Sequence, residues 1–353
     1  MKAILLAGGQ GSRLRPLTLN TPKPIVPIFD RPFLRYQIEL LRQAPEIDEI
    51  VLSLNYQPRR IEEVFGDGSD LGVQIRYVVE PQPLGTGGAI KFAAGPKPHG
   101  PVVVFNGDVL TSVDLPALLA LHRERRARAT IVLTPVDNPT AFGLVETDTE
   151  GNVTAFREKP SPDEVITVDT INAGIYILEG ETLARIPSDT AYSIERGYFP
   201  SLIEKKEAFV AHVYRGYWID IGTREKYQQV HTDIMTGRFT APPFENAAGA
   251  PLVSPDAKIE QGAIIEGPCF IDAGAVVKQG ARIGPYSVIG AHSHISEDAH
   301  IDGAILWPHT WVDRHAKLGP LVAGRHCQFG RNVQVGGSAI LGDNSIVTDF
   351  SRL

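Results

Sequence analysis

The 353-residue chain has the composition of an ordinary globular protein, with 43% apolar and 21% charged residues, and it exceeds the usual size of one domain. A formal charge of −7 excludes the basic footprint of a protein that follows a nucleic-acid backbone, so any polyanionic ligand must meet a local cluster of cations. Cys269 and Cys327 lie outside any metal-ligand or redox spacing, and no apolar run approaches a signal core or a membrane span, so the expectation is a soluble cytoplasmic protein with no disulfide framework and no zinc site.

In chain order, Lys2 to Ala7, Glu49 to Leu54, Gln74 to Val79 and Val102 to Asn106 read as buried strands. Phe33 to Arg42, Ile61 to Phe65, Gly88 to Ala94 and Leu115 to Arg126 read as the helices between them. That alternation predicts a doubly wound α/β sheet. Strands at Thr130 to Pro135, Gly143 to Thr147 and Thr170 to Leu178 predict a mixed extension on one edge, and a helix over Arg224 to Thr236 closes a catalytic domain of residues 1–236. Residues 237–252, in a stretch rich in Pro, Ala and Gly, read as a linker.

From Val253 an aliphatic residue recurs every six positions: Val253, Ile259, Ile265, Ile271, Val277, Ile283, Ile289, Ile295 and Ile301. Small residues follow at a fixed offset, as at Ala275, Ala281, Ser287, Ser293 and Ala299. This hexapeptide period predicts a left-handed parallel β-helix of roughly five coils over 253–353, each six-residue stretch forming one flat face. The phase slips near Ala304 to Trp307 and Val322 to His326 read as loops or widened corners.

The first strand runs into Gly8-Gly9-Gln10-Gly11-Ser12-Arg13-Leu14, a glycine-rich loop whose backbone N–H groups can approach phosphate oxygens. It lacks the Gly-Lys-Ser/Thr of a P-loop and the third glycine of the dinucleotide fingerprint, and a simple tight turn is the competing, lesser reading. The cations Arg13, Arg15 and Lys23 crowd into the next segment of an acidic protein, which suits a triphosphate.

The segment Leu5 to Pro27 resembles the signature of sugar-nucleotide pyrophosphorylases. The resemblance continues through Glu80 to Gly88, Asn106-Gly107-Asp108, Phe142-Gly143, Glu158-Lys159-Pro160, Asn172-Ala173-Gly174 and Trp218 to Gly222. Tyr192 to Arg196 and Gly216 to Thr223 resemble most closely the mannose-1-phosphate guanylyltransferases that carry an appended β-helix. Such enzymes join a nucleoside triphosphate to a sugar 1-phosphate and release pyrophosphate.

The resemblance implies catalytic roles for Arg13, Lys23, Asp108, Lys159 and Asp220, with Asp108 and Asp220 holding Mg2+. It implies nucleotide contacts at Leu6, Ala7, Gly8, Gly9, Gly11, Ser12, Arg13, Lys23, Glu80, Gly85 and Thr86. Asn106, Gly143, Glu158, Lys159 and Asn172 would meet the sugar phosphate. No general base is required, because the sugar phosphate oxygen is already a nucleophile.

Related pyrimidine-nucleotide enzymes place Gln where this chain has Glu80. A carboxylate can accept both adjacent donors of guanine, whereas thymine and uracil present one donor flanked by acceptors, so Glu80 points to GTP. A glucose-1-phosphate thymidylyl- or uridylyltransferase is the alternative within the class. Two readings lie outside it: an inactive regulatory subunit that binds a nucleotide sugar, and an acyltransferase built on the β-helix with one of its six histidines. No single residue type distinguishes mannose from glucose. Flat β-helix faces predict a homo-oligomer.

Overall fold

A computed structural model describes residues 1–96, 98–158, 168–188, 190–337 and 339–353. The chain forms two compact units, each drawn from two stretches: Met1–Gln10 with Leu34–Asp220, and Gly11–Phe33 with Ile221–Leu353. Among the described residues no helix is long and apolar enough to cross a membrane.

The chain begins with β1 (Lys2–Leu6), the short hairpin β2 (Pro27–Ile28) and β3 (Arg31–Pro32), α1 (Phe33–Leu41), β4 (Glu49–Leu54), α2 (Pro58–Phe65), β5 (Gln74–Val79) and α3 (Gly85–Ala94). Next come β6 (Pro101–Asn106), β7 (Val109–Thr111), α4 (Leu115–Glu124), β8 (Ala129–Pro135), β9 (Gly143–Thr147), β10 (Val153–Glu158) and β11 (Thr170–Glu179). The series continues with α5 (Phe199–Glu204), β12 (Phe209–Val213), β13 (Trp218–Asp220) and α6 (Arg224–Met235).

The first unit is built on a mixed nine-stranded sheet whose main path is β10-β9-β11-β6-β1-β4-β5, with β8 and β12 joined beyond β11. Strands β6, β1, β4 and β5 are parallel, and β11 is antiparallel to β6. The central strands carry unbroken apolar runs because helices cover both faces of such a sheet; Ala3, Ile4, Leu5 and Val103 to Phe105 are fully buried. On one side Ile4, Val104, Ile131 and Tyr176 meet Phe199 and Ile194 in a single core.

Helix α3 starts at Gly85, three residues before the position expected from propensity. The N–H groups of Gly87 and Gly88 donate to the Tyr192 carbonyl at 2.8 and 3.1 Å, which satisfies two donors that the first helical turn leaves without an intrahelical partner. Glycine is needed there for contact, since a Cβ at Gly87 would lie 2.8 Å from the Tyr192 ring. Tertiary approach therefore overrides the low helix propensity of glycine.

The second unit contains the predicted left-handed β-helix, with three parallel sheets of six, six and five strands. Ile271, Val277, Ile283, Ile289 and Ile295 are fully buried along its interior, together with Ala275, Ala281 and Ser287. The phase slips are not loops or widened corners. Strands Ile305–Leu306 and Val322–Ala323 stay in their sheets, so each corner before them is one residue shorter and the coil keeps its cross-section. His292, His309 and His326 sit at successive corners with φ of 56 to 63° and their rings stack, with centroids 5.3 and 4.8 Å apart.

One outer face of the β-helix is apolar and buried: Phe270, Val288, Ile305 and Val322 are at most 6% exposed. Phe29, at the tip of the β2–β3 hairpin, packs against Phe270, Phe244 and His231 at ring-centroid distances of 4.8–5.3 Å. The segment after α6, read from sequence as a linker, is anchored by buried Phe239 and Phe244. These contacts are why Gly11–Phe33 and α6, expected within an N-terminal catalytic domain, group with the β-helix.

Candidate active site

In the first unit Leu6 to Gly9, Glu80 and Asn106 to Asp108 lie at or just past the C-terminal ends of the parallel strands β1, β5 and β6, and β1 lies between β6 and β4, where the strand order reverses. Open α/β sheets form their ligand crevice at such a point. The Gly107 N–H donates to the Leu6 carbonyl at 2.9 Å, and a Cβ at Gly107 would lie 2.4 Å from that oxygen. Glycine at this position is what lets the Asn106-Gly107-Asp108 turn close against the end of β1.

Strand β7 pairs antiparallel with β13, with Asp220 opposite Val109. Asp108 and Asp220, distant in sequence, therefore end the same two-stranded ribbon. Gln37, on the buried face of α1, donates from Nε2 to the carbonyls of Asn106 at 2.8 Å and Val109 at 2.6 Å, and so clamps both sides of Asp108. Gln37 Oε1 and Asn106 Oδ1 are buried without a hydrogen-bond partner.

Two aspartates supply hard oxygen ligands suited to Mg2+, which characteristically takes one or two protein carboxylates and completes its shell with water and substrate phosphates. Asp108 and Asp220, at one end of one ribbon, make a donor set of that kind.

Glu80 follows β5, and its carboxylate is pinned at both oxygens. Oε1 accepts from the Ser53 hydroxyl at 3.2 Å, and Oε2 accepts from the Leu84 N–H at 3.0 Å. A Cβ added to Gly8 would sit 3.4 Å from Oε1, so Glu80 and the loop after β1 are adjacent. Each carboxylate oxygen keeps a lone pair for a ligand donor. Thr86 is already engaged: its hydroxyl donates to Glu195 at 2.6 Å and accepts from the Ile194 N–H at 3.0 Å.

Gly143 and Glu158 face each other across β9 and β10, and a Cβ at Gly143 would lie 2.7 Å from Glu158 Oε2. The absent side chain makes room for that carboxylate. Asn172 is turned partly inward, with Nδ2 donating to Tyr176 Oη at 2.8 Å and Oδ1 accepting from the Gly174 N–H at 2.9 Å. Burial pushes the Tyr176 phenol well up, which keeps it neutral. Trp218 donates from its indole to the Ala173 carbonyl at 2.9 Å and meets Phe142 edge to face at 5.9 Å. Lys159 lies outside the described residues.

In the second unit Gly11 takes a φ of +62°, and its carbonyl accepts from Thr18 Oγ1 at 2.8 Å. A Cβ on Gly11 would lie 3.1 Å from Lys23 Cβ, so the structure brings Gly11 and Lys23 together. Ser12 and Arg13 begin a single 3-10 turn and are exposed. The Arg13 guanidinium covers Gly222, where a Cβ would be 2.7 Å from Nη2.

Sequence reasoning missed Gln37 and Ser53. Gln37 carried one signal, an amide on the otherwise apolar face of an amphipathic helix. Ser53 carried none, being one small polar residue in a buried strand.

The nucleotidyl transferase family profile matches residues 2–237, and the GMPPB C-terminal domain profile matches residues 265–352. A mannose-1-phosphate guanylyltransferase of Mycobacterium tuberculosis is 41% identical over 77% of this chain and 75% of its own length. A UTP–glucose-1-phosphate uridylyltransferase of Synechocystis is 32% identical over 93% of this chain and 88% of its own. The crystal structure of HddC from Yersinia pseudotuberculosis complexed with GMP-PN matches with a TM-score of 0.56 at 29% identity, covering 66% of this chain and 99% of that one.

Proposed function

This chain belongs to the nucleotidyl transferase family, and from that premise we propose that it transfers GMP from GTP to mannose 1-phosphate, forming GDP-mannose and releasing pyrophosphate. The observation that carries the choice of base is the Glu80 carboxylate, held by Ser53 and Leu84 with an acceptor free on each oxygen. Guanine offers N1–H and N2–H side by side to such a pair, and the similarity to a guanylyltransferase at 41% identity supports the same choice and the choice of mannose.

In the proposed reaction an oxygen of mannose 1-phosphate attacks the α-phosphorus of GTP in line. One P–O bond forms, the bond to the β-phosphate oxygen breaks, and pyrophosphate leaves with the electron pair. The chain's task is positioning and charge neutralisation. Arg13 and Lys23 bind the triphosphate, the glycines at positions 8, 9 and 11 offer N–H groups to it, and Lys159 holds the phosphate of the sugar. Glu158 and Asn106, with backbone at Gly143, orient sugar hydroxyls, while the inward bonds of Asn172 leave it a supporting part. Asp108 and Asp220 would hold Mg2+, whose chemistry is to offset charge on the reacting phosphates.

The same proposal includes self-association through the β-helix, which light scattering of the purified chain tests. The reaction is tested by incubating the protein with GTP, mannose 1-phosphate and MgCl2 and identifying products by mass. GDP-mannose and pyrophosphate in equal amounts are expected, and failure to form them contradicts the proposal.

A further inference from the structure

The phosphate-binding segment and the β-helix share one compact unit, and specific contacts join them. Trp307, on the β-helix and 2% exposed, donates from its indole N–H to the Tyr227 hydroxyl at 3.0 Å. Tyr227, fully buried on α6, passes that bond on by donating its own hydroxyl to the Pro27 carbonyl. Pro27 lies four residues past Lys23. The neighbouring His231 repeats the pattern, because its Nδ1 bonds the Tyr227 carbonyl at 2.8 Å and its Nε2 accepts from the Phe29 N–H at 3.3 Å.

A second contact touches the other end of the segment. A Cβ at Gly342, in the last described coil, would lie 3.1 Å from Pro16 Cβ, and Pro16 is three residues past Arg13. Gly342 has no left-handed φ, so its lack of a side chain answers to this close approach and not to backbone conformation. The segment from Gly11 to Phe29 is therefore held by the β-helix close in sequence to Arg13 and to Lys23.

We propose that the β-helix sets the position of the triphosphate-binding segment, through the Trp307–Tyr227–Pro27 relay and the Gly342–Pro16 stop, so that Trp307, Tyr227 and Gly342 are positioning residues for nucleotide binding. The inference rests on the reading of Arg13 and Lys23 as triphosphate ligands. A misplaced cation loses binding energy to the triphosphate, and neither Trp307, Tyr227 nor Gly342 is assigned to the sugar phosphate. The expected signature is a selective rise in KM for the nucleotide.

The test is steady-state kinetics on the full chain with GTP and mannose 1-phosphate varied in turn, well below the melting temperature of each variant. Tyr227→Phe removes both hydrogen bonds of the relay, and it raises the KM for GTP about tenfold, within the range that loss of such bonds gives. KM for mannose 1-phosphate stays within twofold (roughly the scatter of such comparisons). Gly342→Ala, Gly342→Val and Gly342→Leu press progressively on Pro16 from a partly exposed position, which guards against loss of folding, and their KM for GTP rises in that order. Lys23→Ala is the control for the underlying reading. If it leaves the KM for GTP unchanged, that reading fails; if it raises KM while Tyr227→Phe and the whole Gly342 series do not, the positioning role is overturned. Lowered melting temperatures with unchanged KM values would mark the contacts as structural only and overturn it as well.

Discussion

Asp220 stands opposite Val109 in a two-stranded antiparallel ribbon, which places it beside Asp108 although most of the first unit separates the two in sequence. Neither residue distinguishes itself locally from a loop aspartate or a helix cap. Their meeting at one end of a ribbon is what makes them a credible pair of metal ligands. Asp108→Asn and Asp220→Asn are each expected to lower kcat by at least about 100-fold, in line with loss of a charged group acting on phosphoryl transfer. Mn2+ binding followed by electron paramagnetic resonance, without substrate turnover, should weaken in parallel; retention of tight Mn2+ binding by both variants contradicts the assignment.

Gln37 holds the carbonyls on both sides of Asp108. Replacement by Met keeps the volume and deletes the two bonds, leaving two buried carbonyls short of a donor, a cost of about 1–3 kcal/mol each at most. Gln37→Met is therefore expected to fold with a lowered melting temperature and to need more Mg2+ for half-maximal activity. A Mg2+ titration identical to that of the parent protein would show that the turn holds its shape without the clamp.

Glu80→Gln keeps the shape of the side chain and offers one acceptor and one amide donor where two acceptors stood. Discrimination between bases should shift toward UTP by roughly ten- to a hundredfold in the ratio of kcat/KM values, the range available to one buried polar contact. An unchanged GTP to UTP ratio would remove Glu80 from base selection. Ser53→Ala tests the support beneath it, with a smaller shift in the same direction.

Burial lowers the pKa of His231 from the usual 6.5 of a histidine to about 4. The fold favours the neutral ring, so the stability this residue contributes is complete above pH 6.5 and is lost as pH falls toward 4. The slope attributable to one such group approaches about 1.4 kcal/mol per pH unit inside that window. His122, whose pKa burial also lowers, adds to the loss. Urea unfolding between pH 7 and 4.5 should show the decline, and His231→Gln should flatten part of it; equal slopes in the two proteins would contradict the assignment.

The glycine-rich loop after β1 and the six-residue period were both legible, because each rests on local spacing. The period even marked the interior, since Ile271, Ile283 and Ile295 are fully buried. What the period could not convey was the sign of its slips. A one-residue shortening and an inserted loop break the count alike, and only the continuous pairing of Ile305–Leu306 and Val322–Ala323 separates them.

The grouping of Gly11–Phe33 with the β-helix was equally hidden. It depends on Phe29 meeting Phe270 and on Tyr227 meeting Trp307, contacts between positions that share no local pattern. The burial of the segment after α6 was hidden for the same reason, as Phe239 and Phe244 are two aromatics in a stretch rich in Pro, Ala and Gly.

The central claim is the substrate pair, and one competition measures it. The purified protein is given GTP, UTP, dTTP and ATP at equal concentration, with equal mannose and glucose 1-phosphates, MgCl2 and pyrophosphatase, and the initial nucleotide sugars are quantified by mass. GDP-mannose as the dominant product is the result predicted here; a dominant UDP-glucose or dTDP-glucose would retain the nucleotidyl transfer and contradict the assignment of guanine and mannose.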